Sequence, residues 1–323
     1  MKSYLQLFDL SQKVNYKAEI LAGLTVAMTM IPESLSFAIL AGFPPLTGLY
    51  AAFIMGLITA VFGGRPGMVS GGAGATAIVL IALMQSHGIE YVFAAVALAG
   101  ILQISVGLFK LGKFIRLVPQ PVMYGFVNGL AVVIFTSQFS QFKIIDANGH
   151  VSWLGGSALY MMAGLVTLTI LIVYFFPKIS KAIPPSLAAI IIVFALVIAL
   201  GIDTKTVKDI ASVSGSLPPF HIPMVPFNLA TLSVIFPYAL IMAGVGLTES
   251  LLTLNLVDEI TATRGNSNRE AVAQGGANLL NGFFTGMGGC AMIAQTLINL
   301  SAGARARLAG IVASFTILSI ILF

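Results

Sequence analysis

Two carboxylates stand in strongly apolar surroundings. Glu33 follows Pro32 in AMTMIPESLSFAIL, and Glu249 lies in AGVGLTESLLTLNL. An acid inside a bilayer-spanning helix is a functional candidate by default, because an unpaired charge there is expensive. Pro32 removes one helix hydrogen bond and frees a carbonyl nearby. Thr253 follows Glu249 by four residues, so the pair shares one helix face, where a carboxylate and a hydroxyl could hold Na+ or relay H+. Either acid could instead be protonated and packed against a neighbouring helix.

Two glycine-broken segments supply a second kind of chemistry. SGGAGATA holds Ser70, Gly71, Gly72, Ala73, Gly74, Ala75 and Thr76; MGGCAMIAQ holds Gly289, Cys290, Ala291, Met292 and Gln295. A spanning helix that starts after loose backbone cannot bond its first amides internally, and lipid offers no water in their place. Such an N-terminus carries free N–H groups and roughly half a positive charge, which makes an anion site. The glycines let an anion approach the backbone, and the Ser70 and Thr76 hydroxyls are candidate extra donors. The same small residues also permit close packing of helices.

Around these lie lesser candidates. Gln295, one turn into its helix, either lines the cavity or bonds a neighbouring helix. Phe37, one turn beyond Glu33, is a candidate wall of the site as well as a core residue. Asn128 and Asn278 read as interhelical hydrogen-bond glue, Cys290 as a small residue at a tight crossing, and NSNRE (266–270) as a helix cap.

The elements that must position these groups follow from composition. Of 323 residues 58% are hydrophobic and 8% charged, against about 25% charged in soluble chains. That excludes an ordinary soluble enzyme. No short segments alternate as in an outer-membrane barrel. The single cysteine forbids an internal disulfide and argues against a zinc site. Residues 1–17 are mixed and polar, so no cleavable signal peptide is expected. Apolar runs place spans near 20–42, 46–62, 69–86, 91–109, 118–139, 158–176, 184–201, 230–256, 271–286, 289–303 and 308–323. Threaded from a cytoplasmic N-terminus, only Lys143, Lys205 and Lys208 of the 16 basic residues fall outside. The +5 charge is therefore topology and no sign of nucleic-acid binding.

Spans one, three and four begin about 210–220 residues before spans eight, ten and eleven, and the odd number of spans between partners makes the halves inverted. Half of a hydrocarbon core about 30 Å thick needs about five extended or about ten helical residues. Ser70 to Gly74 and Gly288 to Ala291 supply the extended stretches; Ala75 to Gln85 and Met292 to Gly303 supply the helices. The two helix N-termini are then expected to face each other near the midplane. Spans five to seven lack partners before Phe323, which reads as a chain short of about three spans; a natural eleven-span protein is the other reading.

PESLSFAILAGFPPLTGLYAAF (32–53), FGGRPGMVSGGAGATA (62–77), GKFIRLVPQPVMYGFVNG (112–129) and the long run from Arg264 to Gly310 resemble the SulP (sulfate permease) family of inorganic anion transporters. The resemblance covers nearly the whole chain. It implies fourteen spans in two inverted halves, with a core of spans one to four and eight to eleven. That core carries substrate past a gate of spans five to seven and twelve to fourteen. Homodimers and a cytoplasmic C-terminal STAS domain are also implied. The implied site lies between spans one, three, eight and ten; Glu249 and Thr253 match the family's acid and hydroxyl. Many members carry Gln where this chain has Glu33 and Arg near Gln295, so this site is less positive and is expected to need H+ or Na+ to bind an anion.

The expectation is an all-α polytopic inverted-repeat transporter (7+7 plan, here about eleven spans) in the inner membrane. Its segments are the N-terminal 1–19, core 20–110, gate 111–201, linker 202–229 and core 230–323. The expected function is secondary, elevator-type transport of sulfate, bicarbonate or a dicarboxylate. The substrate site comprises Glu33, Phe37, Ser70 to Thr76, Gly289 to Met292 and Gln295; Glu249 and Thr253 form a coupling site able to take Na+. No cofactor and no enzymatic activity are expected, because no catalytic pair or metal motif appears among His87, His150 and His221. A nucleobase permease of the same plan and an uncoupled anion channel remain as alternatives.

Overall fold

The computed structural model describes residues 14–112, 121, 125, 128–129, 132, 135–136, 138–145, 151–180, 185–204 and 215–323. Most of the expected fifth span (118–139) lies outside the described residues, as do Lys205, Lys208 and His150. In chain order the elements are α1 (Tyr16–Leu40), α2 (Pro45–Phe62), β1 (Ser70–Gly71), α3 (Gly74–His87), α4 (Ile89–Leu108), β2 (Lys143–Ile145) and β3 (Val151–Trp153). There follow α5 (Gly156–Ile179), α6 (Pro185–Ala199), α7 (Leu229–Thr261), α8 (Ser267–Phe283), β4 (Cys290–Ala291), α9 (Ile293–Ser301) and α10 (Leu308–Leu322). They form two compact units, one of Met1–Leu117 with Val213–Phe323 and one of Val118–Ser212. In the second unit β2 and β3 pair antiparallel and α5 and α6 pack together.

Helix ends follow local chemistry. Asn15, Asn228 and Asn266 each accept a hydrogen bond from a first-turn amide, capping α1, α7 and α8; the last is the cap expected from NSNRE. Pro45 opens α2, where its missing N–H costs nothing. Glu19, buried in α1, accepts from the amides of Arg305, Ala306 and Ala309 at 2.6, 2.8 and 2.9 Å, and so caps α10 from another helix. A buried Arg65 ties the loop after α2 to the end of α7, through Asp258 at 3.3 Å, the Val257 carbonyl at 3.2 Å and the Thr261 and Thr263 hydroxyls.

Among the described residues α1, α2, α4, α5 and α7 are long and apolar enough to cross a membrane. α3, α9 and α10 are shorter, and α3 and α9 are short because each is preceded by extended backbone. Asn128 is exposed, and most of the residues around it lie outside the described ones.

The tightest helix pair is α4 with α8. Gly100 faces Gly275, Gly107 faces Val272 and Gly282 faces Ala97, and the two glycines of each helix lie seven residues apart. A Cβ on Gly275 would fall 2.5 Å from the Ile104 amide nitrogen and 2.6 Å from the Gly100 carbonyl oxygen; one on Gly282 would fall 2.7 Å from the Ala97 nitrogen. Backbone meets backbone here, as in small-residue packing of membrane helices. Gly275→Ala is expected to force the helices apart at a cost of about 1–3 kcal/mol. The apparent melting temperature in detergent should drop by several degrees. Gly276→Ala, whose Cβ meets nothing within 4 Å, should leave it unchanged.

Candidate functional site

The two glycine-broken segments meet. β1 and β4 pair antiparallel, Ser70 opposite Ala291 and Gly71 opposite Cys290, and the Met292 amide donates to the Val69 carbonyl at 2.9 Å. Only a glycine fits at 289, because a Cβ there would lie 1.9 Å from the Gly71 carbonyl oxygen. Two-residue strands cannot hold themselves, so their polar groups are met from the helices around them. Thr296 Oγ1 accepts from the Val69 amide at 3.0 Å, and Ser250 Oγ accepts from the Ala291 amide at 3.0 Å. Asn278 bonds both the amide and the carbonyl of Gly289, and Gln274 donates to Ser70 Oγ.

From each strand a helix starts. Ala73 and Met292 are the N-caps of α3 and α9, and neither N-terminus has a side-chain cap. An α-helix leaves its first amides without an internal acceptor. The groups concerned are Gly74, Ala75 and Thr76 on α3, and Ile293, Ala294 and Gln295 on α9. Both ends carry the positive pole of the helix dipole. Ala75, Ile293 and Ala294 keep accessible surface, whereas Gly71 to Gly74 and Cys290 to Met292 are buried.

The carboxylates belong to the same cluster. Glu33, half-buried on α1, accepts a hydrogen bond from the Gln295 amide of α9. Glu249, 3% exposed on α7, accepts from the Cys290 thiol of β4 at 3.0 Å. The two acids lie within Coulombic reach of each other. Met30, Glu33 and Phe37 share a face of α1 that covers the glycines. A Cβ on Gly71 would fall 2.3 Å from Met30 Cε and 2.9 Å from Met292 Sδ; one on Gly74 would fall 2.5 Å from the Phe37 ring. The arrangement therefore presents two positive helix ends and two acids, each acid with one neutral donor.

Three sequence expectations are altered by the geometry. Thr76 gives its hydroxyl proton to the Ala73 carbonyl at 2.9 Å, so that proton is not available to a ligand. Ser70, 1% exposed, is engaged by Gln274 on the side of α8. Thr253 donates to the Glu249 carbonyl at 2.7 Å, leaving only its oxygen lone pairs to join Glu249 in holding a cation. Gln103, Ser250, Gln274 and Thr296 were missed, because a polar residue in a helix does not reveal its partner. One signal was available: Gln274 lies one turn before Asn278, on the same face. An apolar groove of about 520 Å³ between α4, α7 and the segment before α7, lined by Ala97, Ile101, Pro226, Phe227 and Phe283, brings together almost no polar groups and takes no part in the cluster.

A family model described as the sulfate permease family matches residues 16–323. The chain belongs to that family. YbaR of Bacillus subtilis is 44% identical over 299 residues, which is 93% of this chain and 60% of YbaR. The bicarbonate transporter BicA of Picosynechococcus sp. is 30% identical over 335 residues, 95% of this chain and 57% of that protein. The chain thus spans about three fifths of the length of the curated relatives it matches. The solved transmembrane domain of a cyanobacterial BicA matches with a TM-score of 0.74 at 30% identity, over 95% of this chain and 83% of that one. With its apolar helices, this makes the chain part of a multi-pass helical membrane protein.

The strand crossing should be sensitive to single hydroxyls. Thr296→Val strands the buried Val69 amide, which costs about 1–3 kcal/mol. A thermal melt in detergent should show a clear loss of stability. Thr167→Val should show none, because Thr167 is exposed and bonds only its own helix.

Proposed function

We propose that this protein is a secondary transporter of a small anion, with sulfate, bicarbonate or a small dicarboxylate as the substrate class. The observation that carries the reading is the convergence of two uncapped helix N-termini on one crossing, together with Glu33 and Glu249. Half-helix N-termini aimed at an anionic group are a transporter device. The family, and BicA's name as a bicarbonate transporter, support the choice of an anion.

On this reading the anion sits against the first-turn amides of α3 and α9, with Phe37 as a wall and Gln295 as a side-chain donor. The acids give the mechanism its coupling. Two helix ends supply roughly one positive charge between them, and two ionised carboxylates more than cancel it. Anion binding is then favourable only when H+ or Na+ neutralises at least one acid, with Glu249 and the Thr253 oxygen as the cation's place. Cation and anion must load together and leave together, which is symport.

The broken elements recur about 220 residues apart, as do the helices around them, which supports two inverted halves of a 7+7 plan, about eleven of whose spans fall within this chain. The first compact unit is proposed as the moving core of an elevator and the second as part of its gate. The protein is placed in the inner membrane with a cytoplasmic N-terminus, as a homodimer.

The test is uptake by proteoliposomes holding the full-length protein. Sulfate, bicarbonate or fumarate should accumulate faster under an inward H+ or Na+ gradient. Glu249→Gln should abolish the gradient's effect while the protein stays monodisperse. Uptake indifferent to both gradients, or coupling unchanged in Glu249→Gln, overturns the coupling assignment. Uptake of uracil with no uptake of any of these anions overturns the substrate class.

A further inference from the structure

One face of α8 bears a run of buried polar residues that the transport reading does not use. Glu270, Gln274 and Asn278 follow one another at four-residue intervals, and all are 1% exposed or less. Glu270 accepts from the Gly64 amide in the loop after α2 at 2.7 Å, whereas Gln274 and Asn278 bond the broken segments themselves. Gln274 Nε2 donates to Ser70 Oγ on β1 at 2.8 Å, and to Glu270 at 2.8 Å. Asn278 Nδ2 donates to the Gly289 carbonyl at 2.9 Å, and Asn278 Oδ1 accepts from the Gly289 amide at 2.8 Å. Asn278 thus satisfies both backbone groups of the residue before β4, as a neighbouring strand would. Asn278 Nδ2 also donates to Gln103 Oε1 of α4 at 2.8 Å, and Gln103 Nε2 reaches the Ala243 carbonyl of α7 at 3.5 Å.

We propose that Gln274 and Asn278, braced by Gln103, are positioning residues for the anion site: α8, clamped to α4, is a strut that sets where β1 and β4, and hence the helix ends that start from them, are held. Three features favour this over simple helix glue. The bonded groups belong to the broken strands and not only to a neighbouring helix. One residue pairs both polar groups of Gly289, which has no room for a side chain. The Gln103–Asn278 pair is bracketed by two glycine crossings, Gly107 with Val272 on one side and Gly282 with Ala97 on the other, so α8 has little freedom to slide on α4. A strut must be stiff, and backbone contact on both sides of the polar pair makes it so.

Cys290 reports on the strut. It follows Gly289, is fully buried, and is the one cysteine of these 323 residues. The full-length protein in detergent is treated with N-ethylmaleimide, and modification of Cys290 is timed by peptide mass spectrometry. Asn278→Leu removes both bonds to Gly289 and should speed labelling at least about tenfold. Gln103→Leu keeps those bonds and loses the brace, so labelling should speed by about threefold. Unchanged labelling in monodisperse Asn278→Leu overturns the proposal. If Asn278→Leu does not give monodisperse protein, Gln103→Leu decides alone: faster labelling supports the strut, and an unchanged rate overturns it.

The link to affinity rests on the transport reading and has its own readout. In proteoliposomes Gln103→Leu should raise KM for the anion several-fold with a smaller change in kcat. Mere loss of folded protein lowers the maximal rate and leaves KM alone, and that result overturns the positioning role. Faster labelling in a protein whose wild type moves no anion rejects the transport reading and leaves the strut in place.

Discussion

A chain that abandons helical hydrogen bonding inside a membrane protein must have its backbone groups met by something else, and that requirement organises this molecule. At the crossing of β1 and β4 each strand supplies part of the answer and four helices supply the rest. Val69 is met by Met292 and Thr296, Ala291 by Ser250, Gly289 by Asn278, and Met287 by the Thr47 carbonyl of α2. The first-turn amides of α3 and α9 lie beyond this network. Pairing is dense up to the strand ends and then gives way to two uncapped helices.

That contrast carries the electrostatics. Glu19 shows a helix start met by a carboxylate in this fold: it takes the Ala309 amide of the first turn of α10 and the Arg305 and Ala306 amides of the turn before it. At α3 and α9 the nearby acids are instead engaged by Gln295 and Cys290 side chains. The proposed function follows from that difference. Positive helix ends attract an anion, neighbouring carboxylates oppose it, and a co-bound cation tips the balance.

Much of this was legible in the sequence, and for physical reasons. Gly-rich breaks in apolar runs are conspicuous, because intact helices would carry side chains there; the helices after them begin at Gly74 and Ile293, within a residue of the expected starts. The acids stood out because charge is rare in this chain. What stayed hidden was partnership. A two-residue strand has no periodicity, so the register of Ser70 with Ala291 had no signal. Polar residues such as Gln103 and Thr296 reveal a need for a partner but not its address. Asn278, expected to bond another helix, does so through Gln103 and also bonds Gly289. The seven-residue glycine spacing of α4 and α8 was visible but lay among 33 glycines.

The central claim is that the first-turn amides of α3 and α9 bind an anion. It is tested most directly by titrating sulfate, bicarbonate or fumarate into protein with 15N-labelled backbone and following individual amide resonances. The account predicts saturable shifts concentrated at Gly74, Ala75, Ile293 and Ala294, larger when the coupling cation is present. Saturable binding that leaves those four resonances unmoved and shifts amides elsewhere would contradict it.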